Sequence, residues 1–182
     1  MTNNTQPAST PWYKCALTSW VRDIAVVLVI FFGISAWQTK DMLKADGTVQ
    51  VDTIVLPGLD DEQHKLFEPA EFDKPTLLYF FAPWCVVCKT SIGNLNELDK
   101  DKINIVRVAV DYSSSQAVID FVEETRAEGP VLLGSNNLKH HFKVPGYPSY
   151  YLIDEEQKII GRSMGYSTEW GLKLKSYLAN KS

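Results

Sequence analysis

A chain of 182 residues with 18 lysines and arginines against 22 acidic residues, net −4, has room for one ordinary domain plus an appendage, and it carries no basic field for nucleic acid. Its 45% hydrophobic and 12% aromatic content is enough for a packed core. Three cysteines, two of them in one motif, are too few for a disulfide framework, which favours a catalytic over a structural use.

In chain order, Met1 to Ser19 is rich in Thr, Asn, Ser and Pro without a hydrophobic period and reads as a short disordered tail, residues 1–19. Cys15 lies in it as an incidental cysteine rather than a lipidation site. From Trp20 to Trp37 the sequence is apolar apart from Arg22-Asp23 and Ser35. The run Ile24 to Ile34 is too short alone for a span of about 20 residues. Trp20 and Trp37 as interfacial anchors, with Arg22 snorkelling, lengthen it enough to predict a transmembrane helix over 20–39. A core helix would show a polar face, and Ile34-Ser35-Ala36 before a bulky Trp37 is a poor cleavage site, so the segment reads as an uncleaved anchor. Residues 40–47 read as a linker, and 48–182 as the folded domain.

Within the domain, Thr53-Ile54-Val55-Leu56, the turn Pro57 to Asp61 and the stretch Glu62 to Leu66 predict a hairpin. Thr76 to Phe81 is an uncharged aromatic run that suits a buried strand, while Ile92, Leu95 and Leu98 recur at helical spacing in phase with Cys88. Cys85 and Cys88, two residues apart, therefore sit where a strand ends and a helix begins. The first turn of a helix presents unpaired N–H groups and a positive dipole end, which favour a thiolate at Cys85. Cys88, one turn further in, is shielded and suits a resolving thiol. A four-ligand zinc site needs further cysteines or histidines at suitable spacing, and none follows. Redox exchange thus ranks above half a zinc site or a structural disulfide.

Ile103 to Val110 is rich in β-branched residues, as a central strand is. Ser113-Ser114-Ser115 supplies N-caps for a helix bearing Val118, Phe121 and Val122 on one face, and Gly129-Pro130 stops it before a short strand, Val131-Leu132-Leu133. His140 and His141 point about 100° apart on a helix and chelate poorly, so they read as surface or loop residues and no metal site is expected. Ser149 to Ile153 and Lys158 to Met164 flank a polar turn as an antiparallel hairpin, and a last helix carries Trp170, Leu174, Tyr177 and Leu178 behind Ser167 or Thr168. Strands alternating with helices indicate an α/β sheet with helices on both faces.

The segment Phe81-Ala82-Pro83-Trp84-Cys85-Val86-Val87-Cys88-Lys89 resembles the active site of the thioredoxin superfamily, and Val144-Pro145-Gly146-Tyr147-Pro148-Ser149-Tyr150 resembles its cis-proline loop. The resemblance covers Val51 to the C-terminus. It implies a thioredoxin-like fold with a central mixed sheet flanked by helices. It also implies Trp84 beside the nucleophile Cys85, the resolving Cys88, and a Tyr147-Pro148 loop that faces the disulfide and pairs with an extended substrate. The N-terminal hairpin and the central αβ insert are similar to the membrane-tethered, TlpA-like periplasmic branch. The turn Gly165 to Leu172 looks like that of the thiol–disulfide proteins grouped with the copper-sensitivity suppressor D protein, and makes Glu169 a candidate proton carrier beside the cysteines. Two positions depart from the pattern. Tyr79 stands where thioredoxins have a buried aspartate, and Ser91 where cytochrome c maturation reductases have a glutamate.

These readings converge on a membrane-tethered thiol–disulfide oxidoreductase that reduces substrate disulfides. It needs no cofactor beyond the Cys85–Cys88 pair and takes protein thiols or disulfides as substrates, and the family resemblance implies a membrane thiol donor as its source of electrons. Lys14 and Arg22 balance Lys40 and Lys44, so orientation rests on the short N-terminal tail and on the oxidising compartment such chemistry suits, placing the domain in the periplasm or otherwise outside the cytoplasm. Val86 and Val87 carry no charge or imidazole to over-stabilise a thiolate, which leans towards reduction. The alternatives are an oxidase that donates its disulfide and a protein holding a soft metal such as Cu(I) between two thiolates.

Overall fold

The structure, a computed structural model, describes residues 12–67 and 74–166. The chain divides into two compact units, Met1–Gln38 and Thr39–Ser182.

The first unit is helix α1, Trp12–Thr39. It starts at Trp12 rather than Trp20, so part of the stretch read as a disordered tail is helical. No glycine or proline interrupts the sequence from Trp12 until Gly33, and a helix once nucleated extends until a breaker such as Pro11. Its portion Trp20–Thr39, 20 residues, is long and apolar enough to cross a membrane, and none of it is buried.

In the second unit, strands β1 (Ile54–Pro57) and β2 (Gln63–Leu66) form an antiparallel hairpin. The main sheet holds β3 (Thr76–Phe81), β4 (Asn104–Ala109), β5 (Val131–Leu133), β6 (Ser149–Ile153) and β7 (Ile159–Met164) in the order β5-β4-β3-β6-β7. β3, β4 and β5 run parallel, and β6 and β7 complete the sheet antiparallel. The thioredoxin-like mixed sheet expected from the sequence is thus present. An antiparallel bridge from Gly58 to Leu132 joins the hairpin to the β5 edge.

All six residues of β3 are buried, which makes it the central strand. Its side chains alternate, as strand geometry requires. Leu77, Tyr79 and Phe81 join the cluster that contains Cys85, Cys88, Ile92, Val118 and Phe121. Leu78 and Phe80 enter the opposite cluster with Met42, Val51, Phe67, Phe142, Tyr151 and Ile153. The first face is covered by helix α2 (Val86–Ser91), continued by a 3₁₀ turn at Ile92–Leu95, and by α3 (Ser115–Thr125). The stack of Phe81 on Phe121, ring centroids 4.8 Å apart, ties β3 to α3.

The second face is covered in part by α4 (Asn136–His141), a helix the sequence pattern does not predict. Six residues are too few to show an apolar period, but Ser135 caps the helix by accepting the Leu138 N–H, and Leu138 is its one buried side chain. His140 and His141 lie exposed on its last turn. The 40–47 stretch, read as a linker, is packed onto the same face. Met42 is buried, Arg162 donates to the carbonyls of Met42 and Leu43, and the Leu43 N–H donates to the Tyr151 hydroxyl.

Candidate active site

The local sequence dictates where the two sulfurs go. β3 runs into Ala82-Pro83-Trp84, and Cys85, with extended backbone (φ −80°, ψ 110°), becomes the N-cap of α2. An N-cap side chain normally offers oxygen to the N3 amide. Here the acceptor is sulfur, as Cys85 Sγ takes the Cys88 N–H at 3.1 Å. Cys85 and Cys88 form a disulfide with Cα atoms 5.2 Å apart. Cys88 is wholly buried, whereas Cys85 keeps 6% of its surface exposed beside the exposed Trp84, Val86 and Val87.

The second loop arrives from β6. Phe80 pairs with Ser149 across β3 and β6, so Tyr147-Pro148 lies beside the end of β3 from which the Cys-x-x-Cys segment departs. The Tyr147–Pro148 peptide is cis, and the Pro148 carbonyl accepts the Gly165 N–H at 2.8 Å. Trp84 and Tyr147 meet edge to face, ring centroids 5.7 Å apart. Glu169, the candidate proton carrier, lies outside the described residues, as do Trp170, Leu174, Tyr177 and Leu178 of the last predicted helix.

Behind the disulfide the packing is aromatic with a polar seam. The Tyr79 hydroxyl shares a hydrogen bond with Ser91 Oγ (3.1 Å), and Ser91 Oγ in turn donates to the Cys88 carbonyl (3.4 Å). The two positions that depart from the superfamily pattern therefore meet each other. Burial, together with the neighbouring Tyr150, pushes Tyr79 well above the ordinary phenol range, so it stays a neutral donor. Arg107, level with Tyr79 on β4, is 1% exposed; burial lowers it to about 10, still charged at neutral pH. Its Nη2 donates to Asn96 Oδ1 at 2.9 Å.

Two residues that the sequence reading did not single out complete the front of the site. Asp111, just past β4 with a left-handed φ of 50°, accepts the Trp84 indole N–H on its backbone carbonyl at 2.9 Å. Its Oδ2 accepts the Tyr147 hydroxyl at 2.7 Å and Lys139 Nζ at 2.5 Å. Burial disfavours the Asp111 carboxylate, but the bonds from Lys139 and Tyr147 outweigh it and hold the group below its ordinary value. Burial and that same carboxylate raise Tyr147 far above a free phenol. The available signal was position: in α/β sheets functional groups gather beyond the carboxyl ends of the parallel strands, and Asp111 is the acid at the end of β4. Beside Trp84 and Asp111 a groove of about 820 Å³ runs past Tyr112 and Ser113 to Phe121.

Away from the sulfurs in sequence, Asp60 and Glu62 on the β1–β2 turn and His64 on β2 bring three potential metal-ligand atoms within 4.8 Å of one another. His64 already pairs with Asp60 at 2.9 Å.

A mixed sheet of this order with a Cys-x-x-Cys disulfide at the start of its first helix defines a thioredoxin-like thiol–disulfide oxidoreductase. Comparison with known proteins agrees. The chain belongs to the AhpC/TSA family, whose profile matches residues 48–162. It is 26% identical over 164 residues to thioredoxin-like protein YneN of Bacillus subtilis (strain 168), covering 84% of this chain and 94% of that one. It is 32% identical over 91 residues to thiol-disulfide oxidoreductase YkuV of the same organism, covering 46% and 62% respectively. Among solved structures it shares the fold of a thiol:disulfide interchange protein of the thioredoxin family from Chlorobium tepidum TLS, with a TM-score of 0.63 at 18% identity, covering 72% of this chain and 96% of that one.

Proposed function

We propose that the protein is a membrane-tethered reductase of polypeptide disulfides, working outside the cytoplasm. The observation that carries this reading is the asymmetry of the pair: Cys85, on a helix cap beside the exposed Trp84 and Val86, keeps 6% of its surface, while Cys88 behind it keeps none. In the reduced protein the Cys85 thiolate, held by the Cys88 N–H, attacks one sulfur of a substrate disulfide. The S–S bond breaks, the displaced substrate sulfur leaves as thiolate and takes a proton, and a mixed disulfide remains. Cys88 then gives up its proton and attacks Cys85 Sγ, releasing the second substrate thiol. Two electrons have passed to the substrate, and the protein is left as the Cys85–Cys88 disulfide. A membrane thiol donor returns it to the dithiol.

The apolar Trp20–Thr39 helix, 20 residues long, supports tethering. An oxidising compartment supplies substrate disulfides that the cytosol lacks. Direction rests on the dipeptide between the cysteines, since Val86 and Val87 bring neither charge nor imidazole to stabilise the reduced state. Equilibrating the full-length protein in detergent with glutathione buffers tests it. A potential more negative than about −200 mV, the side of thioredoxin and the glutaredoxins, supports a reductase. A value near −120 mV, that of strong oxidants, overturns the direction and favours disulfide donation.

A further inference from the structure

Asp111 touches neither sulfur, yet it is the common anchor of the two aromatic residues that flank them. Its carbonyl holds the Trp84 indole and its carboxylate holds the Tyr147 hydroxyl. Lys139, reaching over from α4, closes the arrangement by binding the same carboxylate oxygen while lying 5.5 Å from the centre of the Tyr147 ring. Three separate segments, the Cys-x-x-Cys loop, α4 and the loop before β6, are thus fixed to one residue at the end of β4. Among the described residues that carbonyl is the one polar tie of Trp84, 65% exposed, and the Tyr147 ring, held by the carboxylate, fixes the indole from its other side.

We infer that Asp111, with Lys139, is a positioning residue that locks Trp84 and Tyr147 edge to face, and that this locked pair sets substrate preference. The wall it forms beside Cys85 is apolar: the Trp84 ring, with Val86 and Val87 exposed on the same turn. Such a wall favours an extended polypeptide carrying a large apolar side chain next to its cysteine, and disfavours a charged one, whose desolvation nothing on the wall repays. The bound carboxylate matters because its charge is already committed to Lys139 and Tyr147. The Lys139 ammonium therefore neutralises the Asp111 carboxylate beside the site. The inference deepens the reading of the pair as a polypeptide reductase and rests on it.

The test uses full-length protein in detergent and two peptide disulfides that differ only in the residue beside the cysteine, phenylalanine in one and aspartate in the other. The wild type is expected to reduce the phenylalanine peptide with a kcat/KM about tenfold above the aspartate peptide, expressed in KM. Asp111→Ala, which keeps the carbonyl for Trp84 but removes the carboxylate that holds Tyr147 against it, brings the ratio to within about twofold of unity, and Asp111→Asn, which keeps an acceptor for Tyr147, restores most of it. A ratio of two specificity constants is unchanged if part of the variant is unfolded, so simple destabilisation does not mimic the result. Near-ultraviolet circular dichroism should lose ellipticity in Asp111→Ala as Tyr147 is released from its edge-to-face contact with Trp84. A wild type without preference, or an Asp111→Ala variant that keeps it, overturns the inference while leaving reduction intact. Failure of the wild type to reduce either peptide, with Cys85→Ser as the control, overturns the underlying function instead.

Discussion

Reducing the disulfide should expose two thiols of very different reactivity, and the structure lets the difference be sized. For the Cys85 anion, the N–H bond from Cys88 contributes about 1.5 kcal/mol, the low end for a hydrogen bond to a charged group. The first turn of α2 adds about 0.5 kcal/mol, modest because the helix is only six residues long. Together they favour ionisation by about 2 kcal/mol, roughly a thirtyfold change in the ionisation constant. An ordinary thiol is only about 3% ionised at neutral pH. That change raises the ionised fraction about sixteenfold, and allowing for the lower intrinsic nucleophilicity of a more acidic thiol, Cys85 should alkylate about three- to fourfold faster than free cysteine. Cys88, fully buried, reacts only through local opening and should be at least about a hundredfold slower. The assay is iodoacetamide labelling of reduced full-length protein at neutral pH, followed by mass spectrometry, in Cys15→Ser/Cys88→Ala and Cys15→Ser/Cys85→Ala variants. Equal rates for the two sites, or a Cys85 no faster than free cysteine, would refute the assignment of nucleophile and resolver.

Three further outcomes are expected. Phe81→Ala removes the ring stacked on Phe121 beneath the active-site turn and should cost about 3–5 kcal/mol in urea denaturation; a loss under about 1 kcal/mol would mean that this core face is not close-packed. Around the buried cation, Asn96→Ala should destabilise by about 1.5–3 kcal/mol because Arg107 loses its acceptor, whereas Arg107→Met should be neutral or stabilising. The two variants measured side by side contradict this account if Arg107→Met is the more damaging. Asp111 is held below its ordinary value in the folded state, so its ionic contacts contribute fully above the unfolded carboxylate pKa and are lost as the pH falls through the lower folded value. The stability gap between wild type and Asp111→Asn should therefore shrink below about pH 4, and a gap that persists unchanged in acid would count against the Lys139 and Tyr147 contacts.

The Cys-x-x-Cys turn, the central strand and both hairpins were legible because each is a local pattern: a charge-free aromatic run, a cysteine pair in helical phase, turn residues between β-branched stretches. The sequence order of the two signature loops also placed Tyr147 and Pro148 at the site. What escaped were features made by distant segments meeting. Asp111 resembles any other acid after a strand until Tyr147 and Lys139, 36 and 28 residues away, converge on it. Tyr79 and Ser91 read separately as departures from a pattern, and their shared hydrogen bond shows only in three dimensions. Helix α4 was invisible because one buried leucine in six residues makes no period.

The way Arg162 clasps the chain at Met42 and Leu43 moves the natural cutting point for anyone excising a soluble catalytic fragment. A boundary drawn after Gly47, where charged residues end in a turn, would strip away the methionine that seals the far side of the sheet and leave a guanidinium without its two carbonyls. The seam lies at Thr39, and a fragment begun there keeps both.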